Sequence, residues 1–245
     1  MGALFSNTIY FSAPDRPTYS AASMGSPPLI FIQGIPCLWY EHRDPKAPII
    51  LYLHCNFTDL GMQRNLCYQM SKQVGVHVLA MEYPGFGIHP GTTTSDKCAR
   101  SAFVVYEWAC QRSEKVYVMG RSIGTGIAGC LLYELAQSSI RQPEGLILHS
   151  AFLSMAECLS CYIGRALALH WFWSEMNTEY NLSHAPPKRL LVMHGAADRL
   201  FNVWHAHQMY NRIPCSDKSL FVHPTDSHTK ISWPEAFKNI KKWIV

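Results

Sequence analysis

The stretch KVYVMGRSIGTGIAG, residues 115–129, decides how the chain folds. KVYVMG (115–120) reads as a buried strand and IGTGIAGCLLYELAQ (123–137) as a helix, so Ser122 falls on the turn between them. Around it stands the pattern G-x-S-x-G, Gly120 to Gly124. A strand-to-helix turn this tight crowds the neighbouring backbone, and a Cβ at 120 or 124 meets it. The serine side chain then projects above the C-terminal edge of the sheet, where the N–H groups at the helix start also point. Off such a turn the pattern is weak, since small residues also occur by chance where a helix packs closely. On a strand–turn–helix it is strong.

Outward from this turn, strands and helices alternate. Before it lie LIFIQG (29–34) and PCLWYE (36–41), expected to form a hairpin, then PIILYLH (48–54), a continuous apolar run suited to a strand buried on both faces. Residues 58–73 carry apolar positions at helical spacing, VHVLAMEY (76–83) is a strand, and 95–110 a helix with Ser95 expected as its N-cap. After it come the strand GLILHS (145–150), a helical stretch over 152–173, the strand RLLVMHG (189–195), a helix over 202–212, the strand SLFVHP (219–224) and a last helix over 233–243. This order implies βαβ units around a mostly parallel sheet of about eight strands with helices on both faces. The expected organisation is an N-terminal arm over residues 1–28, rich in Pro, Ser and Tyr, followed by a single domain over 29–245.

Composition narrows the classes. The chain has 245 residues, 48% of them hydrophobic and 16% charged, enough for a sizeable core and unlike a disordered tail. A formal net charge of +4 without a Lys/Arg block gives no support to nucleic-acid binding. Nine cysteines, an odd number, read as reduced thiols, and the C-x-x-C of Cys158 and Cys161 has no second pair for zinc. No metal and no cofactor is expected. No run reaches the ~18–20 apolar residues that span a bilayer, and no secretory signal is read.

A nucleophilic serine needs a base, and the base needs a group to orient it. Asp198 follows the strand RLLVMHG, and His228 follows the strand SLFVHP, both at the edge where Ser122 lies. The chain order Ser122, Asp198, His228 is the one this architecture uses. With twelve histidines, a histidine nearby is cheap. His223, His205, His207 and an ordinary loop role for His228 are the rivals; for the acid, the alternatives are Asp226 or a helix-capping Asp198. Two backbone N–H donors are needed for an oxyanion. Ile123 is expected to supply one, and Asn56, or less well Phe57, the other. His54 is read as structuring its loop.

These residues resemble the α/β-hydrolase superfamily, and within it the alpha/beta hydrolase domain-containing 17 group of protein depalmitoylases. The motifs are His54-Cys-Asn56 with Asp59-Leu-Gly61, Tyr83-Pro-Gly-Phe-Gly87, Gly120-Arg-Ser-Ile-Gly-Thr125, Leu148-His-Ser150 and His194-Gly-Ala-Ala-Asp198, spread over the chain from about Pro48 onward. The resemblance implies an α/β-hydrolase fold and a serine hydrolase that cleaves the thioester of an S-acylated protein, with Ser122, Asp198 and His228 on its triad positions. In such a fold 152–187 is a candidate cap region, and the apolar residues of 152–173 either line an acyl pocket or pack in the core. Two departures stand out: Cys55 replaces the family's glycine, and Ser227 replaces the glycine before the histidine. The opening MGALFS fits an N-myristoylation pattern at Gly2, completed by Ser6. Leu4, Phe5, Ile9, Tyr10 and Phe11 then serve either the membrane interface or packing on the domain. The expected location is cytoplasmic, peripheral on the cytosolic face of a membrane. A peptidase, a lipid esterase or acyltransferase, and an inactive scaffold remain as alternatives.

Overall fold

A computed structural model of the chain describes residues 11–23, 29–172 and 176–244, with the side chains of 161–163, 165, 171 and 172 left out of the description. The strands are β1 (Leu29–Ile32), β2 (Ile35–Tyr40), β3 (Ile49–Leu53), β4 (His77–Met81), β5 (Val116–Arg121), β6 (Gly145–His149), β7 (Arg189–Gly195) and β8 (Asp217–His223). They form one eight-stranded sheet in the order β1-β2-β4-β3-β5-β6-β7-β8. β1 and β2 are an antiparallel hairpin on Gln33 and Gly34, both at positive φ (47° and 84°), as a two-residue turn matched to strand twist requires. β2 pairs antiparallel with β4, and every later pairing is parallel.

The helices are α1 (Leu60–Met70), α2 (Ser95–Cys110), α3 (Ile123–Ala136), α4 (Met155–Ile163), α5 (Arg165–Phe172), α6 (Thr178–His184), α7 (Trp204–Arg212) and α8 (Trp233–Ile244), with a π-helical turn at Ser71–Gly75. Strand residues alternate between two cores. Leu51, Val118, Leu148 and Val192 pack with Ala102 and Val105 of α2 and Ile127 and Leu131 of α3. Ile50, Tyr52, Met119 and Ile147 face the other way, onto Leu60 and Met70 of α1 and Phe237 and Ile240 of α8. A strand covered on both sides has no polar face to show, which is why the central strands read as unbroken apolar runs.

Several boundaries differ from the sequence expectation. Thr94, not Ser95, caps α2: its side chain accepts from Lys97 N–H, while Ser95 is buried in the first turn. The stretch expected as one helix over 152–173 is two, α4 and α5, parted at Gly164 with φ +84°. The short α6, capped by Asn177, carries no periodic signal long enough to read.

The strand order places the site. From β3 the chain crosses one way to β4 and then back past β3 to β5, so β3 and β5 are neighbours whose following connections diverge. A crevice opens at such a switch point beyond the strands' C-terminal ends. The loop after β3 and the turn after β5 therefore meet there, beside the loops after β7 and β8.

Candidate active site

Ser122 sits between β5 and α3 with φ 54° and ψ −121°, a conformation that costs of order 1–3 kcal/mol and must be held by its surroundings. Its N–H donates to His149 O at 2.9 Å, and its carbonyl accepts from Thr125 N at 2.9 Å and Thr125 Oγ1 at 2.7 Å. The two glycines are sterically required. A Cβ on Gly120 lands 2.4 Å from Gly124 O, and one on Gly124 lands 2.2 Å from Leu53 O.

The structure brings Ser122, His228 and Asp198 together. Ser122 Oγ lies 2.9 Å from His228 Nε2, and His228 Nδ1 lies 2.8 Å from Asp198 Oδ2. A carboxylate only accepts, so Nδ1 carries the proton and Nε2 presents a lone pair to the serine hydroxyl. Asp198 Oδ1 accepts from Leu200 N and Phe201 N, each at 2.9 Å. Burial pushes this carboxyl up, but the His228 hydrogen bond and charge, the Phe201 N–H and His194 outweigh it and hold it below the usual carboxylate range. The Phe201 ring meets the His228 ring edge-on at 5.1 Å. A hydroxyl placed this way can pass its proton to the imidazole as its oxygen attacks an electrophile.

The rivals lie outside this relay. Asp226 takes Ser232 N at 2.9 Å and Ser232 Oγ at 2.6 Å, closing the loop that carries His228. His223 lies 2.8 Å from Asp226 Oδ1 and 3.0 Å from Glu235 Oε2. His207 is exposed on α7, while His205 is buried there, with its pKa lowered by burial to about 4.

Asn56 and Ile123 both line the cavity beside Ser122. Ile123 opens α3, so its N–H has no partner within its own helix. Phe57 does not serve as the second donor, because its N–H is given to Ser12 O at 2.8 Å. Cys55 is not among the residues at positive φ, whereas Phe57 is, at 59°. The backbone thus turns one residue pair later than the family's glycine suggests, and a side chain at 55 is accommodated.

Glu82, which the sequence reading did not single out, is the hub beneath this loop. Fully buried, it accepts from Tyr19 OH at 2.8 Å, Leu60 N at 3.0 Å and His54 Nε2 at 2.9 Å. His54 is therefore a structural anchor, its other nitrogen 2.9 Å from Cys55 O. The only hint in the sequence is an acidic residue closing an apolar strand.

Part of the arm is bound to the domain. Ser12 N donates to Asn56 Oδ1 at 2.8 Å, Thr18 N to Asp59 Oδ2 at 2.6 Å, and buried Phe11 meets Phe86 edge-on at 6.5 Å. Phe11 is thereby withdrawn from the set expected at a membrane interface. Gly2, Leu4, Phe5, Ser6, Ile9 and Tyr10 lie outside the described residues.

Over Ser122 opens a cavity of about 560 Å³. Met155, Cys158 and Leu159 of α4 form one wall, together with Leu200 and Phe201. Among the described residues no three His, Cys, Asp or Glu side chains converge as metal ligands do, and no helix is long and apolar enough to cross a membrane.

A family model described as the alpha/beta hydrolase fold matches residues 50–200. Lysophosphatidylserine lipase ABHD12 of Bos taurus is 29% identical over 195 residues, covering 73% of this chain and 49% of its own length. Protein ABHD12B of Homo sapiens is 38% identical over 128 residues, 50% of this chain and 35% of that one. The chain thus spans about half, or less, of the length of these curated relatives. The first is named as a lipase, and neither belongs to the depalmitoylase group whose motifs the chain resembles. Among solved structures, Est1E of Butyrivibrio proteoclasticus with ferulic acid has TM-score 0.69 at 15% identity, covering 88% of this chain and 97% of that one. A Pyrococcus furiosus esterase has TM-score 0.68 at 15% identity, covering 96% and 98%. At such identity these two share the fold.

Proposed function

The chain belongs to the alpha/beta-hydrolase family, and on that footing we propose that it is a serine hydrolase cleaving fatty-acyl esters through an acyl-enzyme on Ser122. The observation that carries the proposal is the unbroken relay Ser122 Oγ to His228 Nε2 and His228 Nδ1 to Asp198 Oδ2, at 2.9 and 2.8 Å, on the floor of an apolar cavity. Ser122 Oγ attacks the acyl carbonyl carbon while His228 Nε2 takes its proton. The amides of Ile123 and Asn56 receive the oxyanion. The protonated Nε2 then delivers its proton to the leaving alcohol as the ester bond breaks. Water enters, loses a proton to the same nitrogen, attacks the acyl carbon, and the acid leaves with the serine restored.

The lipase name of the first relative favours an oxygen ester of a single-chain lipid. The motif resemblance favours the thioester of an S-acylated protein, which the same steps cleave with a thiol as leaving group. A panel of long-chain monoacyl lipids, acyl thioesters and peptidyl amides, run on wild type and Ser122→Ala, separates the readings. We expect ester or thioester turnover that falls on the order of 10⁴-fold in Ser122→Ala. Turnover of amides alone, or activity that survives the substitution, contradicts the proposal. A peripheral, cytosolic-face location rests on the Gly2 pattern and is tested by incorporation of a clickable myristate, which Gly2→Ala must abolish.

A further inference from the structure

Among the described residues, the wall of the cavity contains one permanently charged side chain. Of the described residues that line it, none is Asp, Glu or Lys, and Arg121 alone is cationic at every working pH. Its partners, which include the neutral hydroxyl of buried Tyr52, carry no negative charge. Nη1 donates to Cys55 Sγ at 3.2 Å and Nη2 to His228 O at 3.1 Å, and the guanidinium carbon stands 5.4 Å from the Trp233 ring centroid. A thiol sulfur is a weak acceptor. The Nε nitrogen is buried and has no partner among the described residues. The site's own carboxylate, Asp198, is spent on His228 and on the N–H groups of Leu200 and Phe201. Other arginines do better: Arg189 reaches Asp217 at 2.7 Å and Arg212 reaches Glu179 at 2.9 Å. A half-buried guanidinium without a counter-charge is costly, and its planar fork fits phosphate and carboxylate oxygens.

We propose that Arg121 is a specificity-determining residue that pairs with an anionic group, phosphate or carboxylate, in the alcohol portion of the substrate. The site then prefers acyl esters of anionic alcohols over neutral ones. Arg121 directly precedes Ser122 and touches the backbone of His228, so the anion it receives lies within a few bonds of the scissile ester. The uncharged wall of Met155, Leu159, Leu200 and Phe201 is left to the acyl chain. This inference rests on the reading of Ser122 as the nucleophile and adds the substrate's charge.

The test compares wild type, Arg121→Gln and Arg121→Lys in the full chain on two substrates with one acyl chain: 1-oleoylglycerol, neutral, and 1-oleoylglycerol 3-phosphate, anionic. Arg121→Gln is expected to lower the anionic-to-neutral ratio of kcat/KM by about tenfold or more, carried by KM, since a hydrogen bond to a charged group is worth at least a factor of ten. Arg121→Lys should restore part of that ratio. Equal losses on both substrates overturn the proposal and leave Arg121 as a strut for the His228 loop. Binding gives a second readout that needs no turnover. In Ser122→Ala, the ether 1-O-hexadecylglycerol 3-phosphate should bind at least about tenfold tighter than 1-O-hexadecylglycerol, and adding Arg121→Gln should erase the difference. Equal affinities of the two ethers overturn the proposal. If oleate, and not the phosphate ether, loses affinity on adding Arg121→Gln, Arg121 receives the product carboxylate and the headgroup assignment falls. Ether discrimination without any ester hydrolysis by wild type sinks the proposed function and leaves the anion site standing.

Discussion

Asp198 is tied down at both oxygens: Oδ1 by two backbone N–H groups, Oδ2 by His228 Nδ1. Its carboxyl cannot rotate away, and the tautomer of His228 follows from it. Asn at 198 keeps the shape but offers an N–H where an acceptor is needed, so the ring flips its proton to Nε2 and loses the lone pair that faces Ser122 Oγ. We expect Asp198→Asn to lower kcat by roughly 10⁴-fold with little change in Tm. Asp226→Asn should do the reverse. It loosens the hydrogen bonds to Ser232 and lowers Tm, with a far smaller effect on kcat. Steady-state kinetics and a melting curve on the two variants decide this. A larger kcat loss from Asp226→Asn means that the acid is misassigned.

At the scale of elements, the turn from β5 to α3 concentrates the constraint. Gly124 backs onto Leu53 O at the end of β3, so a methyl there forces β3 and α3 apart. Gly124→Ala should lower stability by roughly 1–3 kcal/mol, in the range of other overpacking changes, and should cut activity with it, since the displaced strand end carries the Asn56 loop. Urea unfolding measures the first and ester turnover the second. An unaltered midpoint contradicts the close approach. The same elements show what was legible in the sequence. β3, β5, β6 and β7 were readable because two-sided burial leaves an apolar run with sharp ends, and the positions of Ser122 and Asp198 because each follows such a strand; His228 follows β8, an edge strand only half-buried, and was placed by chain order. What escaped depends on contacts across the fold. Glu82 meets Tyr19, Leu60 and His54 from three separate segments. The break at Gly164 and the seven-residue α6 leave no period to detect. Arg121 drew no notice because its meaning lies in a missing partner, which only coordinates reveal.

Across the whole molecule, three histidines from β6, β7 and α7 are buried behind Asp198, and His149 Nδ1, His194 Nδ1 and His205 Nδ1 have no partner among the described residues. Burial lowers all three pKa values from the ordinary 6.5, that of His149 well below it and that of His205 to about 4; Arg121, His194 and His228 add to the shift of His149, His228 and His207 to that of His194, and His194 to that of His205. Below pH 6.5 the unfolded chain takes up protons that the folded state refuses. Stability is therefore full above that pH and is lost as pH falls toward the folded values, at up to roughly 1.4 kcal/mol per pH unit for each ring. Chemical denaturation from pH 8 to pH 5 should show this decline, and His205→Gln should make it shallower. A flat profile, or one that steepens in the variant, means that these rings are not buried neutral.

The account stands or falls on Ser122 as the nucleophile. The most direct measurement is labelling of the full chain with a fluorophosphonate, followed by mass spectrometry of the modified peptide. We expect one adduct, on Ser122, absent from Ser122→Ala and strongly slowed in His228→Ala, with both variants folded by circular dichroism. No adduct on the folded wild type, or an adduct on another serine that persists in Ser122→Ala, contradicts it.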